Sequence, residues 1–186
     1  MSSIERLMTV ADLDKYSDDE WNRYELIEGE LFVSTAPGIP HQLVLQNLQV
    51  AIVNHLSRNP IGKIVPGAGA VFSNFDAVIP DLVIVRKERW DKIVANNRFI
   101  AAPDLVIEIL SPGSENRKRD VDAKQRLYGK YGVEEYWIVD PQNRSLTIYR
   151  LRGNKLDEFA RLEEKDEIVS ELLPELNIKV GSLFIY

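Results

Sequence analysis

Two short, strand-like stretches carry the residues whose chemistry stands out. "PDLVIEIL", Pro103 to Leu110, is an apolar run opened by proline, the pattern of a strand buried in a sheet, yet it holds Glu108 near its centre. "PDLVIV", Pro80 to Val85, is a shorter copy with Val85 where the other has Glu108. A charged group inside an apolar run is costly unless it is paired with a cation or bound to a metal. Asp104 lies in the same strand, but four residues at about 3.3 Å each separate the two Cα atoms by about 13 Å. Carboxylates that share Mg²⁺ bring their oxygens to about 2.0–2.1 Å from one ion, so Asp104 is a poor partner. Asp81 is the better one. It begins a different strand, neighbouring strands lie about 4.8 Å apart, and antiparallel or staggered pairing brings it beside Glu108. The plainer alternatives are a turn residue after proline for Asp81 and a strand-edge glutamate meeting solvent or a structural arginine for Glu108.

A third group comes from the segment "RDVDAKQRLYGKYG", Arg119 to Gly132. At 100° per residue, Val121, Leu127, Tyr128 and Tyr131 fall on one helix face, with Lys124 at its centre. Arg119, Asp122, Arg126 and Lys130 point elsewhere. A lysine in an apolar stripe either snorkels to solvent or leans over the sheet towards the acids. Two carboxylates and an ammonium on a strand–strand–helix unit suit metal-assisted phosphodiester cleavage. The acids hold Mg²⁺, with Mn²⁺ as substitute, and the ammonium offsets charge in the transition state or positions the nucleophile.

The elements that must position these groups follow from pattern. "TVADLDKY" predicts a short helix with a Thr9/Asp12 capping pair, and Ser17 with Glu20 forms a second cap signature. "YELIEGELFVS" predicts a hairpin turning at Glu28-Gly29. After the break "APGIP", the run His41 to Leu56 has Leu45, Leu48, Ile52 and Leu56 at helical spacing. Strands are expected over 62–72 and 77–87, then a connection with a short helix over 88–99, then the Glu108 strand. The lysine helix over 114–132 ends at Gly132. "EYWIVDP" and "SLTIYRL" form a strand pair about the turn "PQNR", extended by "FARLEEKDEIVS", and the tail "LPELNIKVGSLF" closes the chain. This order describes an α/β fold, a mixed sheet flanked by helices with an N-terminal hairpin.

The composition bounds what such a site can be. A chain of 186 residues, 45% hydrophobic and 28% charged, is most simply one domain over 1–186. It has no cysteine, which excludes thiol catalysis, disulfides and cysteine-ligated zinc. No apolar run approaches the roughly 20 residues of a membrane span, and the N-terminus lacks a secretory pattern, so a cytoplasmic protein without membrane association is expected. The net charge of −6 argues against non-specific coating of nucleic acid. It leaves room for a local site: Glu115 to Tyr131 holds Arg117, Lys118, Arg119, Lys124, Arg126 and Lys130 against Glu115, Asp120 and Asp122. A solvated helix face is the plainer account of that run.

The blocks "YELIEGEL", "PHQLVLQNL", "IPDLVIV", "APDLVIEILSPGS", "DVDAKQRLYGKYGVEEYWIVDP" and "LPELNIKVGSLF" resemble the Uma family of restriction-endonuclease-like proteins, within the PD-(D/E)XK nuclease superfamily. The resemblance runs from about Thr9 to Phe184. It implies that Pro80-Asp81 is the superfamily's Pro-Asp motif and that Glu108 is its second acid, with the Ile109 carbonyl as a further metal ligand. The third motif position is Leu110, not lysine, and Lys124 on the following helix matches the place from which the family supplies one. Glu25 is implied as an additional acid and His41 as a contact to phosphate or water, each against a plain structural alternative. A Mg²⁺-dependent DNA endonuclease acting as a homodimer is thus the leading expectation. A nuclease-fold module that binds DNA or a partner without turnover is the second, and a metal-independent enzyme of the glycosidase type is the third.

Overall fold

The strands Leu82–Arg86 and Leu105–Ile109 send alternate side chains to opposite faces, and that alternation organises the protein. Leu82, Ile84, Leu105, Ile107 and Ile109 lie in one apolar layer with the helix Ile39–Arg58. Val83, Val85, Val106 and Leu110 lie in a second with Leu127 and Tyr128. The computed structural model describes residues 7–16, 19, 21–111 and 119–185. The expected Ser17/Glu20 cap and the basic residues Arg117 and Lys118 lie outside the described residues.

A 3₁₀ helix over Val10–Tyr16 precedes the hairpin β1 (Asn22–Ile27) and β2 (Glu30–Thr35). Then come α1 (Ile39–Arg58), β3 (Gly62–Pro66), β4 (Ala70–Ser73), β5 (Asp76–Val78), β6 (Leu82–Arg86), α2 (Lys87–Ile93), β7 (Val94–Ala95), β8 (Arg98–Phe99) and β9 (Leu105–Ile109). A π-helical turn, Arg119–Ala123, runs into α3 (Lys124–Tyr131), followed by β10 (Glu135–Asp140), β11 (Ser145–Arg152), β12 (Lys155–Glu163) and a closing 3₁₀ helix, Val180–Phe184. The mixed α/β class and the N-terminal hairpin are as expected, with the strands divided over two sheets. One has the order β2-β1-β5-β4-β8-β7 and the other β12-β11-β10-β9-β6-β3. Both are mixed: β4 runs parallel to β8 and β9 parallel to β10, and the other pairs are antiparallel.

Each local feature has a local cause. The β1–β2 turn takes positive φ at both Glu28 (54°) and Gly29 (80°), the two-residue turn whose twist matches its strands. The expected strand over 62–72 is split at Gly67, which takes φ 59°. That over 77–87 is split at Pro80, which has no N–H to give a ladder. Helix α3 ends as expected at Gly132 (φ 87°), where Gly132 N–H bonds to Gly129 O and Val133 N–H to Tyr128 O. Gly129 lets α3 approach β12, because a Cβ there would stand 3.0 Å from Asn154 O and 3.2 Å from Leu156 N. Of the expected α1 stripe, Leu48, Ile52 and Leu56 are buried and Leu45 is partly so. Among the described residues no helix is long and apolar enough to cross a membrane.

Candidate active site

β6 and β9 are antiparallel, with Leu82 opposite Ile107 and Val83 opposite Val106. One further step of that register sets Asp81 across from Glu108. This is why two near-identical strands end differently: running in opposite directions, the first residues of one copy meet the last residues of the other. Asp104 is carried to the far end of β9. There its carboxylate accepts from Arg86 N–H (2.9 Å) and pairs with Arg86 (3.1 Å) and Arg89 (2.9 Å), as an anchor remote from Glu108.

Glu108 shares a β9 face with Val106 and Leu110, the side covered by α3. Lys124, at the junction of the π-helical turn and α3, reaches down to it and is only 2% exposed. Its Nζ donates to Glu108 Oε1 at 2.9 Å and pairs with Glu25 Oε1 at 3.0 Å. Glu25, central in β1, also accepts from Ile79 N–H at 2.8 Å, so the hairpin sheet and the α3 layer meet at this lysine. Asp81 Oδ2 accepts from Ile109 N–H at 2.8 Å and contacts His41 Nε2, in the first turn of α1, at 3.0 Å. His41 Nδ1 is buried without a hydrogen-bond partner among the described residues, so the ring's fixed contact is the one to Asp81. Burial pushes the Asp81 carboxyl up. The His41 hydrogen bond and charge, the Ile109 N–H and the Lys124 charge together outweigh it and hold the group below its ordinary value.

All six residues singled out from the sequence, Glu25, His41, Asp81, Glu108, Ile109 and Lys124, line one cleft of about 180 Å³. Two residues not singled out from the sequence for the site contact this group. Tyr128 is fully buried and its hydroxyl donates to Glu108 Oε1 at 2.7 Å. Burial, and then the adjacent Glu108, push that hydroxyl well above its ordinary value, so it remains a donor at neutral pH. It lies one helical turn after Lys124 and was read only as part of the apolar stripe; its polar tip was the missed signal. Arg23 lines the cleft with Nη1 3.8 Å from Asp81 Oδ1. It stands two residues before Glu25 on β1, hence on the same face, and strand periodicity would have found it.

The donor chemistry bears on a metal. Among the described residues, Glu25, Asp81 and Glu108 are each at least nine-tenths buried, against Lys124 as the buried ammonium, an excess of carboxylate over ammonium that suits a divalent ion. No trio of His, Asp or Glu side chains is gathered at ion distance among the described residues. Mg²⁺ needs none, since it is commonly held by one or two carboxylates with water and substrate phosphate in its other positions. The carboxylates present in the cleft are therefore of a kind and number that fit it.

A separate polar tie holds the helix that carries the lysine. Asp76, 1% exposed, accepts from Tyr131 OH (2.6 Å), Glu28 N–H (2.7 Å) and Ser73 Oγ (3.0 Å), with Lys130 at 3.3 Å. Burial raises its pKa, but these donors prevail and set it below 3.8. A carboxylate depressed in the folded state contributes stability that is present above the unfolded value and is lost as pH falls through the folded one. Asp76→Asn is therefore expected to lower the melting temperature at neutral pH, with the gap to wild type closing below about pH 4. Melting curves over a pH series check this, and a gap that stays constant down to acid pH would remove Asp76 from the acid limb.

Residues 10–181 match the family model Uma2, described as "Putative restriction endonuclease". No curated protein matches. A crystal structure described as that of a putative nuclease belonging to DUF820, from Anabaena variabilis ATCC 29413, aligns over 95% of this chain and 97% of its own with a TM-score of 0.76. At 23% identity that likeness is one of fold. The matched span, from residue 10 to residue 181, includes the positions of the cleft from Arg23 to Lys124. The chain accordingly belongs to the Uma2 family of putative restriction endonucleases.

Proposed function

We propose that the protein is a metal-dependent endonuclease that hydrolyses phosphodiester bonds in DNA. The observation that carries this reading is the convergence of Asp81, Glu108 and Lys124, distant in sequence, on one cleft at the start of β6 and the end of β9. Asp81, Glu108 and the Ile109 carbonyl are the groups assigned to hold Mg²⁺ or Mn²⁺. The ion's contribution when bound is Lewis-acid polarisation of the phosphate and a lowered pKa for water.

The chain's own residues supply the rest. The Lys124 ammonium, fixed between Glu25 and Glu108, offers a preorganised positive charge where negative charge builds on the phosphoryl oxygens. Glu25 aims that ammonium. Tyr128 holds the Glu108 carboxylate in one orientation, and His41 does the same for Asp81. Arg23, at the rim, is assigned to a phosphate flanking the scissile one, where a guanidinium fork suits two phosphoryl oxygens. Cutting both strands of a duplex asks for two such sites, so the working unit is assigned as a pair of chains.

Supercoiled plasmid incubated with the pure protein and Mg²⁺ or Mn²⁺ is expected to be nicked, and EDTA to prevent it. Nicking that Asp81→Ala leaves unchanged would belong to a contaminant and sink the reading. Salt-dependent DNA binding without nicking would identify instead the non-catalytic module, which Leu110 in the third motif position favours. Activity that survives EDTA would indicate chemistry of another class.

A further inference from the structure

Strand β1 meets the cleft along one face. On that face Ile27 packs into the core between the sheets, Glu25 pairs with Lys124, and Arg23 stands near Asp81 with its side chain 38% exposed. Continued outward, the same two-residue alternation reaches Trp21. Trp21 is 85% exposed, more than any other large apolar side chain among the described residues. The β1–β2 register, extended one step beyond Asn22 opposite Thr35, sets it across from Ala36, which itself lines the cleft. At about 3.3 Å per residue, its Cα lies about 7 Å from that of Arg23 and about 13 Å from that of Glu25. The indole is in water, but its backbone is held. Asp19 accepts from Trp21 N–H at 2.9 Å and Asn22 N–H at 3.2 Å, and its other oxygen accepts from Asn22 Nδ2 at 2.8 Å and from the Tyr24 hydroxyl.

We infer that Trp21 is a stacking platform for a base of the bound strand, and that the substrate is DNA with at least one unpaired nucleotide at the cleft. This rests on the nuclease reading above and adds to it the state of the strand. Place favours a base over another occupant. Arg23, between Trp21 and the acids, is assigned to the phosphate next to the scissile one, so the nucleotide beyond it arrives where the indole stands. Size agrees. The cleft holds about 180 Å³, below the roughly 300–1,000 Å³ of a pocket that encloses a drug-sized molecule, so it takes a phosphate and leaves the base at the rim. Charge agrees as well. A chain at −6 repels a polyanion and lacks the basic footprint that grips a duplex by its phosphates. Stacking on an aromatic face needs no such footprint and accepts any base. A base within a duplex has its faces covered by its neighbours, so this contact asks for one that is unpaired or turned out of its stack.

Fluorescence anisotropy of a labelled single-stranded oligothymidylate of about 12 nucleotides tests this, with Ca²⁺ in place of Mg²⁺ so that binding is read without turnover. Trp21→Ala is expected to weaken binding about 5- to 150-fold, the worth of one stacked base, and Trp21→Phe to keep most of the affinity. The same strand with its bases removed should bind wild type and Trp21→Ala alike. A blunt duplex of equal length should bind wild type less tightly than the single strand. Of the three tryptophans, Trp137 is buried and Trp90 packs against Phe99, so the single strand should quench wild-type fluorescence and leave that of Trp21→Phe unchanged. The circular dichroism spectrum of Trp21→Ala should match wild type, as the side chain is so exposed. If Trp21→Ala binds the single strand as tightly as wild type, loses as much on the abasic strand as on the normal one, or leaves a wild-type preference for blunt duplex to explain, the inference is overturned and the nuclease reading stands. A wild type that binds neither strand nor duplex removes both.

Discussion

Lys124→Met is expected to abolish nicking and to lower folding stability by about 3–5 kcal/mol. The ammonium is 2% exposed and sits 2.9 Å from Glu108 and 3.0 Å from Glu25, which are themselves 3% exposed. Methionine matches the stem in volume but removes the cation that the two buried carboxylates share. The cost is less the loss of an attraction than the stranding of charge. Urea denaturation and plasmid nicking on the same preparation measure both effects. Adding Glu25→Gln to Lys124→Met removes one stranded charge, so stability should recover in part, whereas nicking should not return. Recovery of both would mean that the lysine serves the fold alone. No loss of stability in the single variant would mean that the ion trio is not what joins the hairpin sheet to α3.

Asp81→Asn carries the second large effect. The side chain keeps its shape and can still accept from Ile109 N–H, so the fold should persist. What changes is charge, at the carboxylate assigned to the metal. Loss of that ligand is expected to reduce nicking by about 10²-fold or more, several kcal/mol of Lewis-acid assistance. Calorimetry gives a second readout that does not depend on turnover. Mn²⁺ at about 100 times its dissociation constant should stabilise the wild type by about 2.7 kcal/mol, and the variant should show little of this. A variant that gains as much from Mn²⁺ as the wild type would remove Asp81 from the metal site while leaving the fold assignment intact.

The two variants test different links. Lys124 belongs to the energetics that close three elements around a polar centre. Asp81 tests the chemistry proposed for this centre. Buried charge of this kind is an expensive way to build a core, and a hydrophobic trio of the same volume would be as stable or more so. Its presence between two sheets is therefore better explained by the cleft it lines than by the stability it adds.

Glu108 was legible in the sequence as an anomaly, since a carboxylate inside Val, Ile and Leu needs a partner whatever the fold. Lys124 was legible in the same way, as a cation at the centre of an apolar helix stripe. The turn at Glu28-Gly29 and the stop at Gly132 were legible because backbone conformations with positive φ are local choices. Periods of 2 and 3.6 residues told which side chains share a face. These are short-range properties, and a single sequence states them.

Which faces meet is a long-range property, and there tertiary structure decided. The register that sets Asp81 across from Glu108 depends on β6 lying beside β9, and 25 residues separate Leu82 from Ile107. The division of the strands into two sheets, and the approach of Glu25 to Lys124 across the gap between them, follow from how the layers pack. The roles of Tyr128 and Arg23 are of the same kind: Tyr128 was placed on the correct face by its spacing and Arg23 was not singled out, and only the packed neighbours turn a hydroxyl towards Glu108 and a guanidinium towards Asp81. The sequence by itself determined which groups could not be left alone, because the cost of burying charge is paid locally. Only the folded chain determined their company, because hydrogen bonds and ion pairs form between atoms within about 3 Å, wherever in the chain they originate.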